Sequence, residues 1–332
     1  RSRGAGLTGT QPIRGLDDAA LRDRVAQATA LYFLDWSHPV SGMARERSAG
    51  AYGYDVQETV TTGGTGFGLL AQIVAAERGW RPRREILDRV ARLAGFLEQA
   101  DRFDGVFPHF MNGTTGRAQP FSPGDDGGDL VETAFLMLGL LGAAAYFDRE
   151  PELGARIQAL FDAVNWAAHL REDGAVMWHR HPGRPWPANA LPIRGWNEAM
   201  PVFVLGAGSR THPIPASSYH QSWAAAPAFR NGRDYGGTVL PLGPDWGGPL
   251  FLSQYPFLGI DPRGLRALIE TTLAHLPWPK LDIEAPAPSE ALAGFSGELE
   301  NSPAHNELGE LINSVLTETK VMIEVNRLLE ER

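Results

Sequence analysis

The amino-acid sequence predicts an all-α fold with small β-hairpins in its loops. Three observations carry this. Apolar residues recur at helical spacing in nine segments, only two short stretches alternate like strands, and the loops between helices are rich in Gly, Pro and aromatics. Helical hairpins separated by long aromatic loops suggest a ring of paired helices, with the loops building a cleft at one end.

The first helix is expected over residues 16–36, where Asp17 or Asp18 can cap the start and Leu21, Val25, Ala28, Leu31 and Tyr32 form one stripe. A second spans 66–78 and stops at Gly79. The third, 84–99, carries Ile86, Val90, Leu93 and Leu97 at helical spacing. Residues 129–147 and 151–166 follow as a helical hairpin. Helical patterning resumes at 196–208, 215–225, 262–276 and 305–331. Residues 103–110 and 175–180 alternate beside glycines, as small hairpins do. Residues 281–304, with Ala-Pro-Ala-Pro-Ser, read as a linker. The expected organisation is therefore a helical domain over 1–280, the linker, and a terminal helix over 305–332 packing on the same domain.

Composition narrows the function. A net charge of −9 without a basic cluster excludes an ordinary nucleic-acid partner. No run reaches the roughly 20 apolar residues of a membrane span, so no membrane insertion is expected. With no Cys there is no disulfide, thiolate metal site or Cys nucleophile. A chain starting at Arg1 is what removal of a leader would leave.

The densest chemical signal is Phe121-Ser-Pro-Gly-Asp-Asp-Gly-Gly-Asp-Leu-Val-Glu-Thr133, with carboxylates at Asp125, Asp126, Asp129 and Glu132 before a strongly apolar helix. Asp129 and Glu132 are three apart, sharing a helix face near an N-terminus that stabilises negative charge. The same spacing is also that of a capping box, with Asp129 as N-cap and Glu132 completing it. A calcium loop would use nearby carboxylates too, but residues 125–129 do not fit the twelve-residue pattern.

Glu198, in Arg194-Gly-Trp-Asn-Glu-Ala-Met, precedes another apolar helix. Burial beside Trp196 would raise its pKa and suit it to general-acid work, although a solvated helix start has the same pattern. Aromatics such as Phe107, Phe110, Trp178, Trp186, Trp196, Trp223 and Trp246 offer faces on which sugar rings can stack, while burial in a core is their ordinary use. The histidines lack the HExxH arrangement and are read as hydrogen-bonding groups, with no metal and no cofactor expected. Residues 61–68 lack the Lys of a phosphate loop and suit close helix approach or a backbone facing sugar. No G-x-S-x-G elbow is present.

Several phrases together resemble the bacterial endo-β-1,2-glucanases, glycoside hydrolase family 144, with a glycoamylase-like domain. They include Gly64-Thr-Gly-Phe-Gly-Leu69, Ala76-Glu-Arg-Gly-Trp80, Gly105-Val-Phe-Pro-His109, Asp125-Asp-Gly-Gly-Asp-Leu-Val-Glu-Thr-Ala-Phe135, Gly195-Trp-Asn-Glu198, Ser209-Arg-Thr-His-Pro-Ile214 and Gly259-Ile-Asp-Pro-Arg-Gly264. The ordered set covers roughly residues 30 to 265. The resemblance implies an (α/α)6 toroid that hydrolyses β-1,2-glucan with inversion, in the periplasm or secreted. It makes Glu198 the proton donor, with Asp129 and Glu132 as catalytic partners. Asp125, His109, Phe110, Trp178, Trp196, Asn197 and His212 would bind the β-linked glucan or gluco-oligosaccharide.

The resemblance also has a limit. Phrases that relatives carry further on, including a late Asp-Gln-Gly-Pro with its acidic residue, are missing. That implies a shortened or divergent C-terminus, an incomplete toroid, and a base not identified by sequence. A related transglycosylase, a toroidal lyase, and a noncatalytic glucan-binding protein remain alternatives. Retaining chemistry would need carboxylates about 5–5.5 Å apart, inverting chemistry about 6.5–9.5 Å.

Overall fold

The computed structural model describes residues 15–47, 57–120, 122, 125–186, 190–225 and 229–260. Among these residues the fold is predominantly helical, with seven α-helices and three two-stranded antiparallel ladders. The expected helices at 262–276 and 305–331 and the linker at 281–304 lie outside the described residues.

Helix α1 (Asp18–Asp35) starts where Asp17 accepts the Ala20 N–H at 2.8 Å, one of the two expected caps. Its contact face differs from the expected stripe. Ala30 and Leu34 are buried while Val25 and Leu31 are exposed, because Phe33 seats α1 against Gly68 of the next helix. Helix α2 (Thr62–Glu77) begins four residues earlier than its apolar pattern and ends near Gly79 as expected. Helix α3 (Arg83–Leu97) buries Ile86, Val90, Leu93 and Leu97, the predicted stripe.

Helices α4 (Leu130–Tyr146) and α5 (Pro151–Asp162) form the expected hairpin. Helix α5 is shorter than its pattern. Asn165 caps a separate 3₁₀ turn, Trp166–His169, which buries Trp166 completely. Helix α6 (Met200–Gly208) starts four residues late, after a loop held by Asn197, and α7 (Ser217–Gln221) is a short remnant of the expected 215–225 helix.

The helices fall into two kinds. Helices α2, α4 and α6 are buried nearly all round, whereas α1, α3 and α5 bury one stripe and expose the rest. Helix α4 packs on α2, α5 and α6, and α2 packs on α1 and α3. A Cβ on Gly63 would meet Glu132, one on Gly66 would meet Phe135, and one on Gly142 would meet Leu70. These partner numbers rise together, so α2 and α4 run parallel with their N-termini level. Close helix approach is thus what residues 61–68 provide: a Cβ on Gly66 would lie 2.0 Å from Phe135 O, and one on Gly139 2.4 Å from Gly66 O.

The two expected hairpins shrink to single bridges, Phe103 with Val106 and Leu170 with Val176. Their strand-forming ends pair with distant chain instead. Strand β1 (Thr59–Thr61) pairs with β2 (Phe110–Asn112), and β3 (Gly128–Asp129) with β4 (His179–Arg180). Strands β5 (Arg230–Tyr235) and β6 (Thr238–Leu242) form a hairpin that the sequence reading did not include. Its signal was the two-residue Gly236-Gly237 turn, where both φ angles are positive (69° and 96°), the geometry for which Gly is preferred.

Candidate active site

The two long-range ladders explain how the acidic residues come together. Asp129 N–H donates to Phe107 O at 2.8 Å, and Phe107 N–H donates to Thr133 Oγ1 at 2.9 Å. Thr62 N–H donates to His109 O at 3.1 Å. The 107–109 segment is therefore tied to the first turns of both α4 and α2, and His109 is delivered to Asp129.

Asp129 is the hub. Only 3 % exposed, it caps α4 as expected, with Oδ1 accepting the Val131 and Glu132 N–H groups, each at 3.0 Å. Its Oδ2 lies 2.9 Å from His109 Nδ1. Burial alone would lower the His109 pKa. The hydrogen bond to Asp129 and the charges of Glu132, Asp129 and Asp125 outweigh burial and hold it at about 9.

Glu132 does not complete the capping box. Its Oε2 accepts the Gly63 N–H at 2.8 Å, with Thr61 Oγ1 at 3.5 Å. The carboxylate of α4 thus caps α2 at its positive end, where Thr61 makes no side-chain cap of its own. Gly63 makes room, since a Cβ there would lie 2.5 Å from Oε2. Burial, followed by the charge of Asp129, raises Glu132 to about 7 against His109 and the Gly63 N–H, which favour its ionised form.

Asp125 meets His179 Nε2 at 3.2 Å, and Gly127 N–H reaches the same nitrogen at 3.1 Å. Burial and the charges of Asp129 and Asp126 raise its pKa, opposed by His179 and His109. Its Oδ2 is buried with no hydrogen-bond partner among the described residues. From the sequence His179 is read only as one of the hydrogen-bonding histidines, since it takes the β3–β4 pairing to bring it here. Asp126 turns outward to Arg184 at 2.8 Å.

Glu198 joins the group through Asp129. Burial first, then the charge of Asp129, raises its pKa, against a hydrogen bond from its own backbone N–H. The loop carrying it is rigidly supported. Asn197 Oδ1 accepts the Ala199 N–H at 3.1 Å and Trp223 Nε1–H at 2.9 Å, so this amide is engaged in the scaffold. Trp196 stacks near Trp223 and Phe229, with ring centroids 5.5 and 5.8 Å away.

The other predicted substrate contacts divide. Phe110 packs edge-on against His109 at 4.4 Å, beside the carboxylates. Trp178 O accepts Leu130 N–H at 2.9 Å, fixing this partly buried Trp at the start of α4. His212 is not brought to the group. It is exposed beyond the far end of α6, about 14 Å along that helix from the Glu198 end. Among the described residues no cluster of three or more His, Asp or Glu is arranged to hold a metal ion, and no helix is long and apolar enough to cross a membrane.

Parallel buried helices whose N-termini present carboxylates, a charged His and aromatics bring together the groups of an acid–base site, the class of chemistry that glycosidases use. The comparisons agree with this class. The Glycoamylase family model matches residues 190–275. An endo-β-1,2-glucanase from Chitinophaga pinensis, solved with sophorotriose and glucose, is 41% identical, with TM-score 0.70 over 75% of this chain and 62% of that one. A β-1,2-glucanase structure from Parabacteroides distasonis is 34% identical, with TM-score 0.70 over 75% of this chain and 38% of that one. An exo-β-1,2-glucooligosaccharide sophorohydrolase of the same organism is 35% identical over 272 residues, 75% of this chain and 37% of the relative. The chain resembles the bacterial β-1,2-glucanases with a glycoamylase-like domain, and it spans between about a third and two thirds of the length of these relatives.

Proposed function

We propose that this chain hydrolyses β-1,2-linked glucan, endo-acting and with inversion, on an (α/α)6 toroid to which the buried helices α2, α4 and α6 contribute the inner layer. The observation that carries the chemistry is the setting of Glu198, where burial first and then the charge of Asp129 raise its pKa and so favour its protonated form. Glu198 donates that proton to the departing glycosidic oxygen. Asp129 has both oxygens committed to α4 and His109, so it acts as the anchor of the site. Glu132, at about 7, can ionise at neutral pH and take a proton from the attacking water. Asp125, with an unpartnered Oδ2, accepts a sugar hydroxyl.

The relatives include both an endo- and an exo-acting enzyme, so the product ladder matters as much as turnover. Linear β-1,2-glucan is incubated with the protein, and products are sized while the new anomer is followed by NMR. A spread of oligosaccharides with inverted anomer supports the proposal. Disaccharide alone favours the exo reading, retained anomer the transglycosylase, and no reducing ends overturns hydrolysis. The proposed placement, periplasmic or secreted, rests on the resemblance and is tested by fractionating the cells that make the protein.

A further inference from the structure

The β5–β6 hairpin presents a feature that the acid site does not use. Trp246 is 78 % exposed, the most exposed large apolar residue among those described. Its backbone lies in the left-handed region at φ 62°, ψ 14°, which a bulky residue adopts only when its surroundings enforce it. The enforcement is visible. Asn231 Nδ2–H donates to Pro244 O at 2.6 Å, Arg233 binds Asp245 Oδ2 at 2.6 Å, and Tyr235 OH reaches Asp245 Oδ1 at 3.5 Å. The Tyr235 ring lies 4.5 Å from the Trp246 ring. A set of polar contacts therefore fixes a strained turn whose result is an indole in solvent, the reverse of what apolar burial favours.

The hairpin is also continuous with the site. Its preceding residue Phe229 packs on Trp196 at 5.8 Å, and a Cβ on Gly243, just after β6, would lie 3.3 Å from the Trp196 ring. Trp196 is two residues before Glu198. We propose that Trp246 is a distal stacking subsite, on which a glucosyl unit remote from the cleaved bond rests its C–H face, so that long glucans bind better than short ones. An exposed indole matches the apolar face of a sugar ring, and the Asp245 carboxylate keeps acceptor capacity for its hydroxyls.

This inference rests on the proposed glucanase reading, and binding and cleavage separate the two. Binding of long β-1,2-glucan and of a β-1,2-linked trisaccharide is measured calorimetrically for the wild type, Trp246→Ala and Trp246→Tyr, with hydrolysis of both ligands in parallel. Trp246→Ala is expected to weaken binding of the long glucan about fivefold and to leave the trisaccharide unchanged, with Trp246→Tyr retaining most of the long-chain affinity. Equal affinities for wild type and Trp246→Ala overturn the subsite, as does an equal loss for both ligands. Binding without cleavage by the wild type sinks the hydrolase reading while leaving the subsite to be judged by the affinities. A wild type that binds neither ligand overturns both.

Discussion

Replacing Asp129 with Asn removes one charge while sparing the helix cap, which makes it the sharpest probe of the hub. Asn Oδ1 can still accept the Val131 and Glu132 N–H groups, but the group facing His109 Nδ1 no longer carries charge. In the wild type the imidazole rises from its usual 6.5 to about 9, worth about 3 kcal/mol in total. The His109 side chain is 28 % exposed, so solvent screening removes only part of this. Burial opposes the rise, and the hydrogen bond to Asp129 is the largest favourable cause with Glu132 and Asp125 adding to it, so the share of Asp129 is on the order of 2 kcal/mol. Because the folded pKa is the higher one, this stability is fully present below about pH 6.5 and is lost as pH rises through 9. Urea unfolding of wild type and Asp129→Asn at pH 6 and pH 9.5 reads it directly. The wild-type advantage should be about 2 kcal/mol at pH 6 and mostly gone at pH 9.5. An advantage equal at both pH values, or a His109 proton titrating near 6.5 by NMR, would refute the coupling.

Three further outcomes are expected. Glu198→Gln should lower glucan hydrolysis by about 10²–10⁴-fold with an unchanged helical circular dichroism spectrum; unaltered turnover would remove Glu198 from the acid role. Hydrolysis by the wild type should rise with pH through about 7 as Glu132 ionises, and Glu132→Gln should both slow the reaction and flatten that rise in the residual rate. Gly66→Ala places a Cβ 2.0 Å from Phe135 O and should cost about 3 kcal/mol or more in thermal or urea unfolding, since two backbones must separate. A near-neutral result there would mean that α2 and α4 are not packed through this glycine.

What was legible in the sequence divides along the range of the interactions. The Asp17 and Asp129 caps and the apolar stripe of α3 depend on neighbours within a turn or two, and local pattern reveals them. Glu132 shows the limit. Its spacing from Asp129 is that of a capping box, yet its partner, Gly63, is 69 residues away. The strand pairings failed for the same reason. Residues 103–110 and 175–180 do alternate, but β1–β2 and β3–β4 join distant segments, and those joins carry His109 and His179 to the carboxylates. The β5 strand was hidden by its polarity: Arg230-Asn-Gly-Arg-Asp has no apolar alternation, because those side chains hold an exposed turn rather than face a core. The resemblance named the acids as a group, although it had no means of showing that Asn197 holds Trp223 or that His212 lies beyond the end of α6 remote from Glu198.

Glu132 ties the fold to the chemistry in a way that carries an energetic penalty. Its pKa lies above the usual carboxylate value, so its favourable contribution to stability is complete below about pH 4.5 and is lost as pH rises through 7. The form that could accept a proton from water is therefore the form that the folded protein resists. The Gly63 N–H and the positive end of α2 offset part of that resistance, and they can do so only because residue 63 has no Cβ. Glu132→Gln keeps an acceptor for the same N–H and removes the charge, so above pH 7 it should make the protein more stable while making it slower. If the variant were instead less stable at pH 8, capping of α2 by the ionised carboxylate would be the stronger effect, and Glu132 would belong to the scaffold before the reaction.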